Sequence, residues 1–129
     1  LSGSTVIIPK VKTLIETIPK SSLTIVFDPS IPPGTRGRVE IAPDKGFIQP
    51  YVIEISVDPE LKAEVYVQLD GYEKKMLEVD ESKYDDIDVD ESIGEVLASK
   101  LILVGETKVE TTTVRRITLY YSGGVYEYR

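Results

Sequence analysis

Tyr51-Val-Ile-Glu-Ile-Ser-Val57, Asp58-Pro-Glu-Leu-Lys62, Ala63-Glu-Val-Tyr-Val-Gln-Leu69 and Asp70-Gly-Tyr72 decide the fold class of this chain. Tyr51, Ile53, Ile55 and Val57 fall on one side of an extended backbone, as do Val65, Val67 and Leu69. That period of two is the mark of a half-buried strand. The Asp58-Pro59 turn between the runs predicts that they pair as an antiparallel hairpin with those seven side chains in the core. Asp70-Gly71 supplies the positive φ of a second tight turn, into a strand over 72–79.

The same reading extends in both directions. Leu23, Ile25 and Phe27 alternate with Thr24 and Val26, and prolines punctuate the chain at 29, 32 and 33. Residues 36–42 read as the next strand, stopped at Pro43. Residues 98–104 read as a buried strand that Gly105 interrupts, and 109–121 as a long one with Ile117, Leu119 and Tyr121 on one face. Ser122-Gly-Gly124 reads as a turn into a last short strand over 125–128. About eight strands at such spacing predict an all-β antiparallel β-sandwich, with the jelly roll as the expected topology.

Residues 1–20 read as an N-terminal arm and 21–129 as the sandwich domain. Within the arm, 5–8 read as a short strand. Val11, Leu14, Ile15 and Ile18 follow at i, i+3, i+4 and i+7, an amphipathic helical spacing between Pro9 and Pro19. A helix that short needs docking to persist. It would lie on its own domain or on a neighbouring subunit.

Composition removes many options. A chain of 129 residues suits one domain with a real core. No apolar run is long enough for a transmembrane helix. The net charge of −7 argues against nucleic acid as a partner. It is also local, since residues 78–95 hold nine acids and one Lys and leave the remainder near +1. The chain has no His and no Cys, so neither a Ser-His-Asp triad nor a thiolate zinc site can be built. Acid–base work would fall to carboxylates, Lys or Tyr, and no spacing picks out a carboxylate pair. The expectation is a protein that is not an enzyme. Having no Asn, no Cys and one Met is the bias of proteins that work hot.

Two stretches could bind something. Asp86, Asp88 and Asp90 match the first three ligand positions of an EF-hand loop, and the hard cation they would take is Ca²⁺. The match then breaks, with Glu91 where Gly is needed and Leu97 where the bidentate acid belongs. The other reading is a cofactor-free, solvated acidic loop that discourages sheets from pairing edge to edge. Tyr126 and Tyr128 share one face of the last strand and join Val11, Leu14, Ile15 and Ile18 as interface candidates. A tyrosine row can serve as a core rim, a subunit contact or a platform for a sugar.

The order of features resembles a family. Ile31-Pro-Pro-Gly-Thr, Arg38-Val-Glu-Ile-Ala-Pro and Gly46-Phe-Ile precede the runs at 51–57 and 63–69. Asp70-Gly71, Lys100-Leu-Ile-Leu-Val and Arg116-Ile-Thr-Leu-Tyr-Tyr-Ser-Gly-Gly follow. Over residues 23–128 this is similar to the small jelly-roll modules of thermophilic-phage and archaeal-virus virions: capsid decoration, turret and fibre proteins. The likeness lies in strand spacing and turns, so no site residue is carried over. It implies a building block that forms homo-oligomers or joins other structural subunits, at a virion or extracellular surface, with the cytoplasm as the alternative location. The alternative function is a carbohydrate-binding sandwich with a glycan partner and a structural calcium.

Overall fold

The structure, a computed structural model, describes residues 12–56, 61–69, 71–80, 86–88, 97–108 and 114–128. Among them the chain forms β1 (Lys12–Phe27), β2 (Arg36–Ile41), β3 (Phe47–Ser56), β4 (Leu61–Leu69), β5 (Tyr72–Asp80), β6 (Asp86–Asp88), β7 (Lys100–Thr107) and β8 (Arg115–Tyr128), with no helix. They build two antiparallel sheets, ordered β1-β8-β3-β6 and β2-β7-β4-β5. One apolar cluster lies between the sheets. Leu23, Ile25, Phe27, Ile53, Ile117 and Leu119 come from the first, and Leu61, Ala63, Val65, Val67, Leu101 and Leu103 from the second. Each large aliphatic side chain so buried contributes about 1.5–3 kcal/mol, which makes this shared core the bond between the layers.

The chain pairs β1 with β8, β2 with β7, β3 with β6 and β4 with β5. Two further ladders, β3 with β8 and β4 with β7, complete the sheets. The tight turn after β4 is as expected: Leu69 pairs with Tyr72, and Gly71 sits at φ +86°. The proline-rich connection after β1 is tied to the end of β7. Gly34 N–H donates to the Thr107 carbonyl at 2.7 Å, and the buried Thr107 hydroxyl donates to the Pro32 carbonyl at 3.1 Å.

Several expectations are corrected. β3 and β4 do not form a hairpin; they belong to different sheets and meet across the core. Period two shows which side of a strand is buried but not which strand lies beside it. Leu14, Ile15 and Ile18 are not on a helix: from Lys12 onward the backbone is β1, which runs unbroken past residue 20, and Val11 lies outside the described residues. The β-branched residues there already favoured extended backbone, and β8 supplies a ladder that an isolated helix would lack. Pro19 is tolerated because it sits in a register shift between Ile18 and Ser21 on an edge strand. Gly105 does not interrupt β7, which continues to Thr107; a Cβ there would come within 2.8 Å of Ile117 Cδ1.

Ser122-Gly-Gly124 is not a turn either, since β8 passes straight through it. A Cβ on Gly123 would stand 2.2 Å from the Phe47 carbonyl oxygen, and one on Gly124 2.6 Å from Leu14 Cδ1. The glycines are there because β1 and β3 crowd β8 from both sides, the close-approach role of glycine in a strand. Gly123→Ala is therefore expected to cost about 1–3 kcal/mol through overpacking, read as a lower urea midpoint with an unchanged slope.

Candidate functional site

The two outward faces of the sandwich differ in chemistry. On β2-β7-β4-β5 the outward side chains are mostly charged, and they pair. Arg38 holds Glu40 and Glu73 at 3.0 Å each, and Lys100 reaches Glu73 at 3.1 Å and Glu40 at 3.7 Å. In a second group Lys62 contacts Glu78 at 3.0 Å, Lys75 contacts Glu78 at 2.8 Å, and Arg36 and Lys62 reach Glu64 at 3.5 and 3.8 Å. Ile102 points to this face, in register with Glu40 and Tyr66, and is nonetheless fully buried.

Glu64 is 5% exposed, and the Tyr66 hydroxyl donates to its Oε2. That bond and partial burial push the Tyr66 phenol above its ordinary range. The Lys75 and Lys62 ammoniums hold the Glu78 carboxyl down to about 2, and Lys100 with Arg38 lowers Glu73. A carboxylate so acidic is a poor base at neutral pH; on this face it is a counter-charge.

The face of β1, β8 and β3 is different. Ser22, Thr24 and Val26 alternate with the inward Leu23, Ile25 and Phe27, and Arg116, Thr118 and Tyr120 alternate with Ile117, Leu119 and Tyr121. Register sets Ser22 opposite Tyr120, Thr24 opposite Thr118 and Val26 opposite Arg116, with Glu54 of β3 on the other side of Thr118. These seven side chains line an open groove of about 500 Å³. The Thr24 and Thr118 hydroxyls are 3.3 Å apart.

Tyr51 belongs to this face and not to the core, a further correction. It is the extra residue where the β3–β8 register shifts between Pro50 and Val52, and such a bulge re-aims a side chain. Its ring centroid lies 6.1 Å from that of Tyr120, at 38°, and the Lys20 ammonium stands 5.2 Å from it on the other strand.

The anticipated site residues are placed as follows. Asp86 and Asp88 lie in β6, their backbone paired with Glu54 and Val52 of β3, so this part of the acidic stretch is strand and not loop; Asp90 lies outside the described residues. Among the described residues no three His, Cys, Asp or Glu are grouped as a metal would need. Leu14 and Ile15 are exposed, at 46% and 38%, while Ile18 packs against the core. Leu14 is in register with Tyr126 and Lys12 with Tyr128, so the two ends expected to form an interface are brought side by side as strands.

The sequence points to Tyr120, as one of the C-terminal tyrosines, and to Arg116, and alternation marks Thr24 and Thr118 as outward, but nothing in it joins these residues into one groove. What was missing is the ladder joining positions 94 residues apart.

Two predictions test the charged face. Tyr66→Phe leaves a buried carboxylate one donor short and is expected to cost about 1–3 kcal/mol, read by urea unfolding. Because Glu78 titrates near 2 when folded and near 4.5 otherwise, its pairing stabilises fully above pH 4.5 and is lost as pH falls towards 2. Melting temperatures over that range should fall more shallowly for Glu78→Gln than for the wild type; superposable profiles would mean that the pairing is absent in solution.

Comparison with protein-family models, with curated proteins and with solved structures returns no match.

Proposed function

We propose that this chain is a jelly-roll subunit that works by association and not by catalysis, assembling with copies of itself or with other subunits in a virion or surface structure. The jelly-roll reading is supported by the strand order. β1 with β8, β2 with β7, β3 with β6 and β4 with β5 is the pairing of one long hairpin, and β8 beside β3 with β7 beside β4 is that hairpin rolled into two layers. The ion-pair network across β2-β7-β4-β5 fits a shell built to last and, with the scarcity of Asn and Met, a hot environment.

The observation that carries self-association is β1. It is the outermost strand of its sheet for 16 residues, and no strand lies along its far side among the described residues. Of the five large hydrophobic side chains exposed among those residues, Leu14, Ile15 and Val26 are on this strand. A long edge with apolar side chains is a ready template for strand addition, and a second copy offers the same edge to form an isologous, two-fold contact. Pro19 and the shift at Ile18 confine such pairing to the stretches on either side.

Light scattering after size exclusion should give a multiple of the chain mass, and Leu14→Asp with Ile15→Asp should reduce it to the monomer. Both positions are exposed, so the double variant should stay folded, within about 1 kcal/mol of the wild type. A wild type that stays monomeric when concentrated, or a double variant of unchanged mass, would remove this reading.

A further inference from the structure

We infer that the groove over β1, β8 and β3 is a binding site for a neutral oligosaccharide. A pyranose ring presents a weakly apolar C–H face and a rim of hydroxyls that both donate and accept. The groove offers the counterpart of each. Tyr120 lines it and Tyr51 adjoins it, with ring centroids 6.1 Å apart and tilted by 38°, and Val26 adds apolar surface at one end. Such rings give a large contact area at small entropic cost and carry a hydroxyl at the tip. Ser22, Thr24 and Thr118 contribute hydroxyls able to donate or accept, and Glu54 contributes an acceptor. Lys20, over the Tyr51 ring, adds an ammonium donor at the rim.

Charge selects a neutral ligand. The seven lining residues include one carboxylate, Glu54, and one guanidinium, Arg116, so the lining has no net charge. The chain itself is at −7, which disfavours a polyanion such as nucleic acid. An extended peptide is disfavoured for another reason. β8, the floor of the groove, already pairs on both sides, with β1 and β3, so a strand could join only beside β1, in the plane of the sheet and outside the groove. From Arg116 to Tyr120 the floor runs about 14 Å at strand rise, room for more than one sugar ring. On the opposite outward face Arg38, Lys62, Lys100, Glu40, Glu73 and Glu78 are engaged with one another.

The test uses the full chain, isotope-labelled, titrated with cellohexaose, mannohexaose, xylohexaose and maltohexaose, with amide shifts followed by NMR and affinity by calorimetry. At least one probe should bind, with shifts concentrated at residues 20–26, 51–54 and 116–120. Tyr51→Ala and Tyr120→Ala should each weaken binding about tenfold. Tyr120→Phe, which keeps the ring, should retain most of the affinity, and Tyr72→Ala, on β5 of the other sheet, should change nothing. If Tyr120→Ala does not fold, Tyr51→Ala and the shift map decide the matter. The proposal is overturned if none of the four probes binds at about 10 mM, if the shifts map elsewhere, or if both Ala variants bind as the wild type does. None of these readouts depends on the oligomeric mass, so this site and the β1 edge stand or fall separately.

Discussion

The constraint on which the rest of the molecule depends is the two-sided pairing of β8. This last strand, 14 residues long, is laddered to β1 from end to end and to β3 from Arg116 to Gly124. Without it, β1 has no strand partner among the described residues, and β3 keeps the three-residue β6 and the single bridge from Ile48 to Ala98. The first sheet exists because β8 fills the gap between strands that are distant in sequence. Its tightest point is at Gly123 and Gly124, where neighbouring backbones and side chains occupy the space that a Cβ would need. The outward groove is a product of the same pairing, because Thr24 and Thr118 meet only through the β1–β8 register.

The inward half of the fold was legible residue by residue. Leu23, Ile25, Phe27, Val65, Val67, Ile117 and Leu119 are buried where alternation says they should be, because a strand with one wet side must sort its side chains with a period of two. What alternation does not carry is partnership. The runs at 51–57 and 63–69 look like a hairpin, yet β3 and β4 lie in different layers. Glycine also misleads locally. Gly71 marks a turn through its positive φ, whereas Gly123 and Gly124 have ordinary strand backbone and mark crowding. The helical spacing of Val11, Leu14, Ile15 and Ile18 failed for a third reason: with two register shifts in β1, a strand need not keep strict alternation. Tyr51 was misplaced by the same device in β3.

The contrast between the outward faces follows from the company each strand keeps. β2, β4, β5 and β7 place Arg, Lys and Glu on adjacent strands, and the register lets Arg36, Arg38, Lys62, Lys75 and Lys100 each reach a carboxylate. Exposed pairs of this kind contribute about 0–1 kcal/mol each, so their effect lies in the network. β1 and β8 carry hydroxyls and tyrosine instead, groups that satisfy themselves only in part within the sheet. One face is closed chemically and the other is open.

The separation of β1 from β8 sets a schedule for biosynthesis. β4 and β5 can close on each other as soon as the turn at Gly71 has been made. β1 must wait, since Thr24 bonds to a residue 94 positions later. At a synthesis rate of about 5–20 residues per second the first strand waits roughly 5–20 s for its partner. During that interval its apolar side has no sheet to join, and Leu23, Ile25 and Phe27 depend on the half-built second layer for shelter. Pro19 and Lys20, in the middle of that long strand, confine any pairing with another nascent chain to the shorter stretches on either side. An irregularity that looks like a flaw in a finished edge thus guards the chain before the edge has formed.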